Sequence, residues 1–270
     1  MTTDHAGLAL LSGGVIGLAL GATGGGGSLL AIPLLVYVLG MKAQPATALS
    51  LIVVAASALI GVYRRRASGE VKVKPALIFS ATGVVGAWAG AFGNRFVREE
   101  TALLLFGVLM IVAAWQMWRH SGHTEGRVPG DSCAERFPRS CWIKVSLIGV
   151  IVGLLTGFFG VGGGFVIVPA LALVLGFPMR MAVSTSLLII ALVAVGALVG
   201  HLQMGQMDWP LVGLLLLGSA LGMIGGSWVV QRVSSATLTK SFAAIAIGVA
   251  IVLIIHNGIK LFGATYESGS

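Results

Sequence analysis

The sequence has few charged residues. Only 10% of its 270 residues are Asp, Glu, Lys or Arg, while 57% are hydrophobic; a soluble domain carries about 25% charge. This scarcity excludes an ordinary soluble globule, because too little polar material is present to cover its surface. Apolar runs such as residues 211–230 are instead long enough to cross a bilayer. The composition therefore predicts an all-α polytopic membrane protein.

Acidic residues are especially scarce. The nine Asp and Glu residues all fall in predicted loops or at segment ends, whereas proton-driven carriers typically keep an ionisable residue inside the membrane. Their absence favours an anion site over a cation site. No nucleophile elbow, phosphate-binding loop or zinc-protease motif occurs, so we expect no enzyme activity. The net charge of +8 comes from Lys and Arg at segment ends, which indicates membrane orientation and not nucleic-acid binding.

Cysteine is nearly absent. Cys133 and Cys141 lie near His120 and His123, but zinc sites require tighter spacings such as C-x₂-C. We expect reduced thiols, with neither metal nor cofactor. The first ten residues lack a basic region and a cleavage site, so we expect no removable signal peptide.

Glycine, in contrast, is abundant and patterned. Residues 21–33 read GATGGGGSLLAIP and residues 157–169 read GFFGVGGGFVIVP. The two align at a shift of 136 positions, and the same shift places Gly86 and Gly90 on Gly222 and Gly226. We name residues 24–27 the first glycine knot and residues 160–164 the second. A duplicated, glycine-interrupted apolar segment is a good pointer to a transporter's binding site.

The duplication predicts two repeats of five helical segments. The segments are 7–23, 28–39, 46–63, 76–93 and 101–118, then 144–159, 165–175, 182–200, 209–230 and 238–261. We divide the chain into a first repeat (1–118), a linker loop (119–142), a second repeat (143–263) and a polar tail (264–270).

The positive charges favour an inverted topology for the second repeat. If each knot pair returns the chain to its starting side, 13 of the 17 Lys and Arg residues share one side; a parallel arrangement gives only 11. The inverted arrangement obeys the positive-inside rule better. It places both termini in the periplasm and the loop 119–142 in the cytoplasm.

The segments that follow the knots are short. Segments 28–39 and 165–175 would reach roughly 17–18 Å as helices, less than the ~30 Å hydrocarbon core. We expect two short broken or re-entrant hairpins that meet near the midplane, although charge counting does not separate re-entry from full crossings.

The knots and two hydroxyl-rich segments form the predicted site. A helix N-terminus that follows glycines presents N–H groups to an anion, and the segments ATALSL (46–51) and AVSTSL (182–187) add hydroxyls. The alternatives are close helix packing for the glycines and capping or back-bonding for the hydroxyls. For Gly86 and Gly90 and their equivalents we expect packing. The predicted substrate-binding residues are Gly24, Gly25, Gly26, Gly27, Ser28, Thr47, Ser50, Gly160, Gly162, Gly163, Gly164, Thr185 and Ser186.

The chain resembles the sulfite exporter TauE/SafE family, also called the toxic-anion permease family. The resemblance rests on residues 157–190, on GHLQMGQMDWP at 200–210 and on residues 21–51. It departs after Tyr63, where RRRASGEVKVKP replaces an Asp–Trp-type start. The resemblance implies a bacterial inner-membrane carrier for sulfite, sulfoacetate or other organosulfonates, exporting or importing. Apart from the resemblance, H⁺ carried on the substrate and Na⁺ held by knot carbonyl groups are the two candidate coupling ions. A passive anion channel and a membrane scaffold remain alternatives, as do monomer and homodimer.

Overall fold

The chain is a bundle of nine described helices. The computed structural model describes residues 3–41, 43–94, 99–120, 139–159, 164–201 and 209–234, with scattered further positions up to 251. The helices are α1 (Thr3–Thr23), α2 (Gly26–Pro33), α3 (Ala43–Arg65), α4 (Val73–Asn94), α5 (Glu99–His120), α6 (Arg139–Phe159), α7 (Gly164–Pro169), α8 (Met179–His201) and α9 (Trp209–Arg232). No strand occurs among these residues.

The all-helical membrane fold predicted from composition is confirmed. In the described part of the chain, α1, α3, α4, α6, α8 and α9 are long and apolar enough to span a membrane. Large apolar side chains such as Leu11 and Ile143 are 68% and 72% exposed on the surface of the bundle. Exposure of such side chains is unfavourable in water but not in contact with lipid. The predicted tenth segment, 238–261, and the polar tail lie mainly outside the described residues.

The two short segments after the knots are present. Each begins as an α-helix and continues past a proline as a π-helical turn, Leu34–Val38 after α2 and Ala170–Val174 after α7. Proline removes a backbone donor, and a widened turn is a common local adjustment. Both segments then end at a left-handed glycine, Gly40 (φ +64°) and Gly176 (φ +68°), a conformation that glycine adopts at little cost. These glycines are 136 positions apart.

The long helices pair between the two repeats. Helix α1 packs along α9, and α4 packs along α6. A Cβ at Gly17 would collide with the carbonyl oxygen of Ser219, and one at Gly153 with that of Gly83; the shift of 136 converts the first contact into the second. The predicted packing role of Gly86, Gly90, Gly222 and Gly226 is confirmed, because each backbone touches the partner helix's carbonyl groups.

Helices α3 and α8 form the centre of the bundle and are equivalent under the shift. Gly61 of α3 lies against Leu187 of α8, while Arg65, further along α3, reaches Ser184, earlier in α8. The two equivalent helices therefore run antiparallel. Helix α8 is buried over most of its first half, so it supplies the inner wall against which the knots lie.

Candidate functional site

The first glycine knot lies against the start of α8. Gly24 has φ +72°, and a Cβ there would lie 2.7 Å from Ser186 Oγ and 2.8 Å from Val183 Cα. The Ser186 hydroxyl donates to the carbonyl oxygen of Gly24 (2.7 Å) and also lies 2.8 Å from that of Val183. Glycine is required at position 24 both by its φ angle and by this close approach.

The N-terminus of α2 is partly capped by the chain's own hydroxyls. Thr23 Oγ1 accepts from the N–H of Gly26 at 2.7 Å and lies 3.5 Å from the N of Gly25. The Ser28 hydroxyl donates to the carbonyl oxygen of Gly25 at 2.7 Å. All four glycines of the knot, Gly27 included, are buried. The knot is thus a buried, polar backbone loop, and Thr23 holds the amide donor of Gly26.

Gly164, the last residue of the second knot, lies against the first knot. A Cβ at Gly164 would lie 2.6 Å from Ser28 Oγ and 3.2 Å from the carbonyl oxygen of Gly25. The N-termini of α7 and α2 are therefore in direct contact. Gly160, Gly162 and Gly163 lie outside the described residues.

The hydroxyl-rich segments divide between α3 and α8. Thr185 Oγ1 accepts from the backbone N–H of Lys72 (3.2 Å) and donates to the carbonyl oxygen of Glu70 (3.4 Å), which ties the loop after α3 to α8. Thr185 and Ser186 are fully buried, and Ser50 is buried in α3. Thr47 belongs to α3, and its side chain lies outside the described part.

Arg65 is the residue that sequence reasoning missed. Its side chain is 3% exposed, whereas Arg64 and Arg66 on either side are exposed. Nη2 donates to the carbonyl oxygen of Gly21 (2.6 Å) and Nη1 to the Ser184 hydroxyl (3.3 Å). A sequence signal existed, because Arg65 continues the helical stripe of buried small residues Ser57, Ala58 and Gly61 at spacings of three and four.

A small cavity between α4, α6, α7 and α8 has a different character. It has a volume of about 30 Å³ and is lined mainly by apolar groups, including Phe79, Val152 and Ile189, with Thr156 as a polar contributor. This volume accommodates about one water molecule. Its chemistry does not suit an anion.

The cysteines differ from expectation. No group of three or more metal-ligating side chains occurs among the described residues. The prediction of reduced thiols is wrong for Cys141, which is buried and disulfide-bonded; Cys133 lies outside the described residues. Disulfides persist in oxidising compartments, which opposes the cytoplasmic position that the charge pattern predicts for the loop 119–142.

Comparison with known proteins gives a consistent result. The family described as "Sulfite exporter TauE/SafE" matches residues 9–253. A probable membrane transporter protein of Xylella fastidiosa is 33% identical over 246 residues, covering 90% of this chain and 92% of that protein. The probable membrane transporter protein YunE of Bacillus subtilis is 26% identical over 269 residues, covering 92% and 95%. No solved structure matches the chain.

Proposed function

We propose that this chain, which belongs to the sulfite exporter TauE/SafE family and is a multi-pass membrane transporter, carries small sulfur-containing anions. Sulfite, sulfoacetate and other organosulfonates are the proposed substrates, and the bacterial inner membrane is the proposed location. Export and uptake are both compatible with the family. The contact between the two knots is the structural observation that most favours this function.

The proposed substrate site is the junction of α2, α7 and the first turns of α8. Gly164 lies against Ser28, and Ser186 bonds to Gly24. Backbone groups from both repeats and two serine hydroxyls therefore lie close together in the protein interior. Oriented amides and hydroxyls are suited to an oxyanion's several acceptor oxygens. Thr23 would release the N–H of Gly26 to the substrate, because an anion is a stronger acceptor than a hydroxyl.

Alternating access between two inverted repeats is the proposed mechanism. Three observations support it: the equivalent helices α3 and α8 run antiparallel, the long helices pair between repeats, and the contact of Gly17 recurs at Gly153. In inverted-repeat carriers one repeat moves against the other about a site at their interface. A proton carried on the substrate, or Na⁺ held by knot carbonyl groups, would supply coupling.

Sidedness has two opposed indications. Lys and Arg counts place the loop 119–142 in the cytoplasm and the termini in the periplasm, and we propose this orientation. Arg66, Arg119 and Arg232 each stack on an aromatic ring near the end of α3, α5 or α9, at 3.9, 4.8 and 3.8 Å from the ring centroids. Tyr and Trp are enriched at both membrane interfaces, so these pairs place the three helix ends at an interface without deciding its side. The disulfide at Cys141 favours the reverse.

A binding screen tests the function. Purified protein is titrated with sulfite, thiosulfate, sulfate, sulfoacetate and taurine while unfolding is followed, with chloride at matched ionic strength as control. We expect stabilisation by at least one sulfur oxyanion, since a ligand that binds the native state raises stability by mass action. Absence of any shift beyond that of chloride, together with absence of uptake into proteoliposomes, would contradict the proposal.

Two further measurements separate the alternatives. Counterflow exchange, in which internal unlabelled anion accelerates entry of labelled anion, is expected of a carrier and not of a passive channel. Gly26→Val is expected to abolish anion binding, because the side chain would displace the Thr23 hydroxyl 2.7 Å from its Cβ position. Gly213→Val is the control, since nothing lies within 4 Å there. Equal anion affinity in both variants would remove the knot from the site.

A further inference from the structure

Arg65 is a buried cation whose hydrogen-bond partners among the described residues are neutral. The guanidinium bonds to the carbonyl oxygen of Gly21 and the hydroxyl of Ser184, which account for two of its five N–H groups. Burying a charge is costly unless it is paired. In membrane-spanning segments a buried ionisable residue is by default a functional one.

The nearest carboxylate reaches Arg65 through a hydroxyl. The Ser184 hydroxyl donates to Glu70 Oε2 at 3.0 Å while it accepts from Arg65 Nη1 at 3.3 Å. Glu70 is half-buried, in the loop that follows the short 3₁₀ turn Arg66–Ser68. A serine that links a carboxylate to a guanidinium holds an anionic group close to the cation without a direct bidentate pair.

This network is continuous with the first glycine knot. Gly21 lies three residues before the knot residue Gly24, and Ser184 lies two residues before Ser186, which bonds to Gly24. A second feature lies on the other side of Gly21. Gly226 of α9 packs against Gly21, and the next residue, Ser227, is fully buried with a hydroxyl that has no hydrogen-bond partner within the described part of the chain. Within the described part of the chain, Arg65 is therefore an incompletely bonded cation, and the helix that packs on Gly21 carries a buried hydroxyl without a partner.

We propose that Arg65 is the charged group that binds the transported anion, and that Glu70 is an internal anion that the substrate displaces. The inference rests on the proposed function and assigns a residue to its site. A guanidinium binds two oxygens of one group in a fork. The ligand class is therefore an oxyanion with at least two oxygens on one centre, which sulfite and a sulfonate share, and monatomic chloride lacks.

Glu70 stabilises the anion site when no substrate is bound. Without substrate, the charge of Arg65 is balanced at a distance by Glu70 through Ser184. An arriving oxyanion replaces this indirect interaction by a direct one. Release of the Glu70 carboxylate then frees the α3–α4 loop, whose Lys72 N–H and Glu70 carbonyl group bond to Thr185. Binding at Arg65 and movement of the α3–α4 loop are then coupled.

The test compares three adjacent arginines and one acid in the full-length protein. Affinity for sulfite and for methanesulfonate is measured by calorimetry in detergent, with chloride as competitor. Arg65→Gln is expected to lose about 10- to 100-fold in affinity, the usual worth of a charge-assisted hydrogen-bond pair. Arg65→Lys keeps the charge but loses the fork, so selectivity over chloride is expected to fall. Arg64→Gln and Arg66→Gln are matched controls with unchanged affinity.

Glu70→Gln keeps the proposal testable if Arg65 variants do not fold. Removal of the competing carboxylate is expected to raise anion affinity several-fold, because the substrate no longer displaces a charged group. A purely structural Arg65 would give reduced or unchanged affinity in this variant, which would overturn the proposal. If wild-type protein binds no oxyanion, the proposed function itself fails. If wild-type protein binds and the Arg65 variants bind equally, only the present inference fails.

Discussion

Substitution of Gly24 by alanine separates the two reasons for glycine in the first knot. The position has φ +72°, which costs an L-residue about 1–2 kcal/mol. A Cβ there would also lie 2.7–2.9 Å from atoms of Ser186 and Val183, and overpacking of this kind costs about 1–3 kcal/mol. We expect Gly24→Ala to lower the free energy of unfolding by about 2–5 kcal/mol in total.

Gly40→Ala provides the matched control. Gly40 has nearly the same φ, +64°, but nothing lies within 4 Å of its Cβ position. Only the backbone strain applies there, so we expect a loss of about 1–2 kcal/mol, partly offset by the smaller unfolded-state entropy of alanine. The difference between the two variants measures the contact of the knot with α8.

The assay is reversible unfolding of purified protein in mixed micelles with rising denaturing detergent, followed by tryptophan fluorescence. Ser186→Ala serves as a second reference, because it removes the hydroxyl that bonds to Gly24 without altering the backbone. Equal losses for Gly24→Ala and Gly40→Ala would refute the reasoning, since the close approach of the knot to α8 would then contribute nothing.

Three further results are expected. Gly153→Leu should prevent folding because its backbone touches α4, whereas Gly213→Leu, which faces open space, should fold normally; expression and gel filtration report both. Thr23→Val should lower the free energy of unfolding by about 1 kcal/mol through loss of the cap on the N–H of Gly26. A denaturant midpoint equal to that of the wild type would contradict this expectation. A thiol-labelling assay on intact cells reports the side of the loop 119–142 through Cys133: labelling by an impermeant reagent after reduction would place that loop outside and contradict the charge-based orientation.

The helical segments could be predicted from hydropathy because each one is a local property of the chain. The shortness of the segments after Pro33 and Pro169 was also visible, since glycine and proline act on their own neighbourhood. The π-helical turns beyond the prolines were not predicted, because such turns are rare. The predicted segment boundaries lie within a few residues of the observed ones, because helix ends also depend on local residues.

The tertiary arrangement was less predictable. The sequence showed that Gly86 and Gly222 are equivalent, but not that α4 would pack on α6 and α1 on α9, since partner choice depends on the shapes of surfaces far apart in sequence. Arg65 was grouped with Arg64 and Arg66 as an interfacial charge. The helical stripe of Ser57, Ala58 and Gly61 pointed to an inward face at Arg65, but the groups that Arg65 bonds to there depend on the position of α8, which no local pattern encodes.

The pairing of α1 with α9 has a consequence for biosynthesis. The glycine face of α1 around Gly17 is covered by residues near Ser219, about 200 positions later in the chain. At roughly 5–20 residues per second, α1 waits some 10–40 seconds after insertion before its partner is made. During that time a groove shaped for a helix faces lipid or other proteins of the insertion machinery. The contact between α1 and α9 therefore forms late in synthesis, and truncation within α9 would leave α1 without its partner helix.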